Sequence, residues 1–180
     1  MSRLLELGIK DKIKKCVRVM ILLVMGTTGS GKSTVGRLLA QRLGWLFLEA
    51  DDFHSAANKE KMHRGIPLSD ADRAPWLAAI HNELLRQNQL GRNVVLACSA
   101  LKQEYRDELR AQLQMQVVYL KGSEAVLRSH IEGRHGHFAG ESLLPSQLAT
   151  LEEPVDALVE DVSRTPEEIV EEVCARLHLG

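Results

Sequence analysis

Gly26-Thr27-Thr28-Gly29-Ser30-Gly31-Lys32-Ser33 is a complete G-x-x-x-x-G-K-[ST] loop. The apolar run Val19-Met20-Ile21-Leu22-Leu23-Val24-Met25 leads into it, and a helical pattern from Thr34 to Leu43 leads away. A buried strand, a Gly-rich turn and a helix N-terminus in that order bring several backbone N–H groups to bear on one anion. Lys32 then reaches the β- and γ-phosphates of a nucleoside triphosphate, and the Ser33 hydroxyl is placed to hold Mg²⁺. The nucleotide-binding stretch is therefore Gly26, Thr27, Thr28, Gly29, Ser30, Gly31, Lys32, Ser33 and the adjoining Thr34.

Outward from this loop, apolar runs alternate with helical patterns. Strands are predicted at Val17–Met25, Trp45–Glu49, Asn93–Ala97, Met115–Leu120 and Ala157–Val162. Helices are predicted at Lys32–Leu43, Asn58–Met62, Asp72–Gln87, Lys102–Leu113, Ser123–Glu132, Ser146–Leu151 and Pro166–Leu177. Near-continuous apolar strands between helices predict a five-stranded parallel sheet covered on both faces, a three-layer α/β fold. Thr165, Pro166 and Glu168 form a start signal with a capping box, and Gly91 closes the helix before the third strand. The stretch Gly133–Pro145 lacks periodicity and carries Arg134, His135, Gly136, His137 and Gly140, which suggests a mobile lid.

The composition sets limits. The 180 residues suit one domain, and the net charge of −1 gives no basic field for nucleic acid. No apolar run approaches the roughly 18 residues that span a bilayer. Cys16, Cys98 and Cys174 are odd in number and far apart, which fits buried thiols in a reducing cytoplasm. Glu6 and Asp11 argue against a mitochondrial targeting peptide, so residues 1–18 read as an N-terminal extension. His135 and His137 have no carboxylate or cysteine at a matching spacing, which favours a lid or packing role over zinc.

In a parallel sheet the ligand site lies at the carboxyl ends of the strands. After the second strand stand Glu49, Asp51, Asp52 and His54. These carboxylates suit metal coordination, general base work or hydroxyl binding beside a nucleotide. Arg73 sits near a helix start, against the helix dipole, which points to a carboxylate or phosphate ligand or else to a surface pair with Asp70 or Asp72. After the third strand come Cys98 and Ser99, with no aspartate of the Walker-B kind. Ser99 suits a metal-bound water or a substrate hydroxyl. Lys102 and Arg106, four apart, either line an anionic pocket or are simply solvated.

Four further blocks carry a resemblance. They are Asp51-Asp52-Phe53-His54 continuing to Asp72-Arg73 and Pro75-Trp76-Leu77; Cys98-Ser99-Ala100-Leu101-Lys102 with Tyr105-Arg106-Asp107; Gly136-His137-Phe138; and Gln147 with Thr150-Leu151-Glu152 and Pro154. From about Val19 onward the chain resembles the gluconokinase family of small P-loop sugar-acid kinases. That resemblance implies a nucleoside-monophosphate-kinase-like fold, with one P-loop kinase domain over 19–180 and a lid at about 130–147. It implies transfer of the ATP γ-phosphoryl group to D-gluconate with Mg²⁺, by a cytoplasmic homodimer that binds neither nucleic acid nor membrane.

By residue, the resemblance implies that Lys32, Asp51 and Arg134 are catalytic, Asp51 orienting the acceptor hydroxyl. Asp51, His54, Lys61, Arg73, Ser99, Lys102, Arg106 and His137 would bind the acceptor, with Arg73 on its carboxylate. Ser33 would hold the metal, and Glu49 would stand in its outer shell. The chain departs from the family pattern at Glu49, at Ser55 (in place of Pro, which loosens that turn) and at His130, where a lid-helix arginine is usual. Competing readings are a kinase for another small hydroxy acid or nucleotide, and a nucleotide-dependent regulatory module. A GTPase switch would show an N-K-x-D motif, which the sequence lacks.

Overall fold

The computed structural model describes residues 19–133 and 138–180, the side chains of 138–141 excepted. Residues 1–18, with Cys16 and the proposed extension, lie outside the described residues, as do Arg134 and His137.

Strand β1 is Ile21–Met25, and every residue in it is buried. Alternate side chains leave a strand on opposite faces. Ile21, Leu23 and Met25 therefore join one apolar cluster, and Leu22 and Val24 join another. β1 is the central strand of a five-stranded parallel sheet. The other strands are β2 (Leu46–Glu49), β3 (Val94–Ala97), β4 (Met115–Lys121) and β5 (Leu158–Asp161), in the order β2-β3-β1-β4-β5. In register, Leu23 stands beside Leu96 on one side and Val117 on the other.

Helices cover both faces, as the apolar runs predict. On one face, Trp76, Leu77, Ile80 and Leu84 of α3 (Asp70–Gln89) and Tyr105 and Leu109 of α4 (Gln103–Arg110) pack on the Ile21 side of the sheet. On the other, Val35 and Leu39 of α1 (Lys32–Leu43) pack with Ile169, Val170 and Val173 of α7 (Pro166–Leu177). Each such fully buried side chain contributes about 1.5–3 kcal/mol of apolar burial.

The remaining helices are α2 (Ala56–His63), α5 (Glu124–Glu132) and α6 (Phe138–Thr150). α7 has the expected bounds and its capping box between Thr165 and Glu168. α3 begins two residues before the predicted Asp72, because Ser69 caps it and Asp72 closes a capping box. α2 likewise begins early. Ser55, expected to loosen its turn, instead caps this helix by accepting the amide of Asn58 at 3.2 Å. α6 is longer than the predicted Ser146–Leu151 and runs through Pro145, where the periodicity gave no helix.

Because every strand runs the same way, the ends of β1, β2 and β3 open on one side. They release the Gly-rich loop, a short 3-10 turn at Ala50–Phe53, and the segment Cys98–Lys102.

Candidate active site

The loop after β1 is shaped by glycine where no other residue fits. Gly29 has φ +79°, and a Cβ there would lie 2.6 Å from the Leu127 carbonyl oxygen of α5. Gly31 has φ +86° and caps α1, whose N-terminus faces the loop. Lys32 Nζ donates to the Thr27 carbonyl at 2.9 Å, which folds the ammonium back over the loop. Two later elements hold the loop from outside. His130 Nδ1 lies 3.0 Å from the Gly29 carbonyl, so that nitrogen carries the proton and donates. Thr28 N–H donates to Gln147 Oε1 at 2.7 Å.

In front of the loop lies a cavity of about 230 Å³. The loop supplies one wall through Thr28, Gly29, Gly31, Lys32 and Ser33. Glu49, Asp51 and His54 line the cavity as well. Burial raises the Glu49 carboxyl above the ordinary range, against the lowering effect of the nearby Ser33 hydroxyl. Asp51 lies on the 3-10 turn with its carboxylate open to the cavity. His54 stacks on Trp76, with ring centroids 4.4 Å apart and an interplanar angle of 10°. Trp76 is itself anchored by Nε1 donating to the Ala50 carbonyl at 2.7 Å. Burial pushes the His54 ring below its usual pKa, and Asp51 opposes this from 4.0 Å.

Arg73, Ser99 and Tyr105 also line the cavity. Arg73 Nη1 donates to the Tyr105 hydroxyl at 3.4 Å and stands 3.5 Å from Asp70. The Tyr105 hydroxyl donates in turn to Asp70. Thus Arg73 both faces the cavity and makes the pair with Asp70 that the sequence left as an alternative. Around one cavity stand a Gly-rich loop with its lysine, carboxylates and an arginine, the groups that suit bringing an acceptor hydroxyl against a γ-phosphoryl group.

A family model described as an AAA domain matches residues 21–154. A gluconokinase from Gluconobacter oxydans (strain 621H) is 53% identical over 136 residues, spanning 75% of this chain and 76% of the relative. A probable gluconokinase from Mus musculus is 49% identical over 152 residues, spanning 74% of this chain and 83% of the relative. The chain belongs to the gluconokinase family. The crystal structure of a gluconokinase from Sinorhizobium meliloti 1021 matches it with a TM-score of 0.80 and 45% identity, over 90% of this chain and 93% of that one.

Within this gluconokinase framework the structure sorts the expected acceptor ligands. Asp51, His54, Arg73 and Ser99 share the cavity. Lys61, Lys102 and Arg106 are not part of its wall. Lys61 Nζ is bound to both Asp72 oxygens, at 2.7 and 2.9 Å, and holds that carboxyl down at about 2. Lys102 precedes α4 and pairs with Asp70 at 2.9 Å and Glu104 at 3.1 Å. Arg106 is 1% exposed and donates to the carbonyls of Ala100 and Leu101. These three cations support the loops that carry the site. Arg106 is thus buried away from solvent, whereas Lys102 is engaged by Asp70 and Glu104 at the surface.

Sequence reasoning gave no site role to Trp76, Tyr105 or Gln147, although all three stand in the blocks that carry the family resemblance. Glu152, from the same block as Gln147, accepts the Gln103 amide at 2.7 Å and so caps α4. A second cavity, of about 390 Å³, lies behind the Gly-rich loop, between Thr34, His130, Arg164 and Pro166. Cys98 and Cys174 are buried and unpaired, and burial pushes the Cys98 thiol up to about 12.

Proposed function

We propose that this chain transfers the γ-phosphoryl group of ATP to the 6-hydroxyl of D-gluconate, releasing ADP and 6-phospho-D-gluconate. The observation that carries this reading is one cavity lined at once by Lys32, Ser33, Asp51 and Arg73. A gluconokinase at 53% identity and a probable gluconokinase at 49% support the choice of acceptor. In the reaction, the 6-hydroxyl oxygen forms a bond to the γ-phosphorus as the bond to the β–γ bridging oxygen breaks. Asp51 accepts the hydroxyl proton, and Lys32 draws the leaving charge. Arg73 takes the acceptor carboxylate, and the stacked Trp76 and His54 rings line the same cavity.

The oxygen donors of Ser33 and Glu49 are of the hard kind that Mg²⁺ takes, and they stand together beside Lys32, so these residues fit the metal. When bound it would neutralise charge between the phosphates. The second cavity, with Thr34 and Pro166, suits the nucleoside end of ATP. A cytoplasmic location agrees with the unpaired thiols of Cys98 and Cys174. A homodimer belongs to the same proposal through the family resemblance, and light scattering measures it directly.

The purified chain is tested with ATP, Mg²⁺ and a panel of sugar acids, the product being read by 6-phosphogluconate dehydrogenase. Turnover on gluconate above the other acids is expected. ATP binding without turnover on any acid would favour the regulatory reading.

A further inference from the structure

Gln147 Oε1 accepts the Thr28 amide at 2.7 Å. A backbone N–H only donates, so this contact fixes which branch of the carboxamide faces the loop. The other branch, Nε2, is a two-proton donor with no hydrogen bond among the described residues. Gln147 stands in the wall of the cavity that holds Asp51, His54 and Arg73, and not in that of the cavity behind the loop. We propose that Gln147 is an acceptor ligand, donating from Nε2 to one hydroxyl oxygen of the sugar-acid chain. The contact to Thr28 presets its orientation and ties α6 to the phosphate loop. A neutral donor matches a hydroxyl, while the carboxylate end has Arg73.

This inference rests on the proposed acceptor being a polyhydroxy acid. The test is the steady-state kinetics of the full chain and of Gln147→Met, which keeps the length and loses both polar atoms, with gluconate and its mono-deoxy analogues. Loss of one neutral hydrogen bond corresponds to roughly a tenfold change. In Gln147→Met the KM for gluconate should rise about that much, with the KM for ATP within about threefold. The parent should lose a similar factor on one deoxy analogue, and Gln147→Met should no longer distinguish that analogue from gluconate. A purely structural clasp on Thr28 would leave that discrimination in place. An unchanged gluconate KM, or retained discrimination against every deoxy analogue, overturns the inference alone. A parent chain inactive on every sugar acid overturns the function reading and this inference with it.

Discussion

Arg106 donates from Nη1 to the carbonyl of Ala100 at 2.9 Å, and Ala100 holds φ +44°. That left-handed conformation is unfavourable for an L residue with a Cβ. The same Nη1 also reaches the Leu101 carbonyl at 3.2 Å, so one guanidinium satisfies two oxygens of the segment that carries Ser99 into the cavity. Arg106→Met leaves the buried Ala100 carbonyl without a donor, while the Leu101 carbonyl keeps the Glu152 amide at 2.8 Å, and loss of these charge-assisted bonds costs about 2–3 kcal/mol. For a domain of this size the expected fall in Tm is roughly 5–10 °C. Calorimetry of the variant checks it. A ligand role would instead show as a higher gluconate KM at unchanged Tm.

Asp51 is the one carboxylate on the 3-10 turn that faces the cavity. Asp51→Asn keeps its shape but removes its capacity to take a proton. The expected loss in kcat is about 10²–10⁴-fold, the usual contribution of a positioned base. ATP affinity, measured by titration without acceptor, should be unchanged, because the phosphate loop is built without this side chain. Full activity in the variant would remove Asp51 from its proposed role.

Some of this arrangement is legible in the chain and some is not, for physical reasons. The loop at Gly26–Ser33 and the capping box at Thr165 are local, since their chemistry lies within a few residues. The fate of a cation is not local. Lys102 and Arg106 have the spacing of one helix face, but α4 begins at Gln103, and Arg106 turns into the protein toward carbonyls of the preceding loop. The part of α6 before Ser146 escaped detection because its apolar residues form no single stripe and Pro145 interrupts the pattern, whereas packing of Leu144 in the core sustains the helix. The Thr28–Gln147 contact spans 119 positions and has no sequence signal beyond the block in which Gln147 stands.

Arg73 is held at the cavity by Tyr105 and Asp70. Its planar fork suits a carboxylate in a way that an ammonium does not. Arg73→Lys should therefore raise the KM for gluconate roughly tenfold or more. Arg73→Met should raise it further and reduce the preference for gluconate over the uncharged polyol of the same length. Competition by that polyol in the coupled assay measures the preference. An equal loss of affinity for acid and polyol would place Arg73 away from the carboxylate.

His54 makes stability depend on pH in a predictable direction. Its ring is buried against Trp76, its Nδ1 has no hydrogen-bond partner among the described residues, and burial lowers its pKa below the ordinary value of 6.5. Above that value the ring is neutral in both the folded and unfolded chains and contributes no slope. As pH falls below 6.5, the unfolded chain takes up a proton that the folded one resists, so the unfolded state gains. Stability should decline until the pH passes the lowered folded-state value. His54→Phe preserves a ring on Trp76 and removes the titration. Urea denaturation between pH 7.5 and 5.5 should show a smaller decline in this variant than in the parent, and parallel declines would mean that His54 is protonated as readily in the folded chain as in the unfolded one.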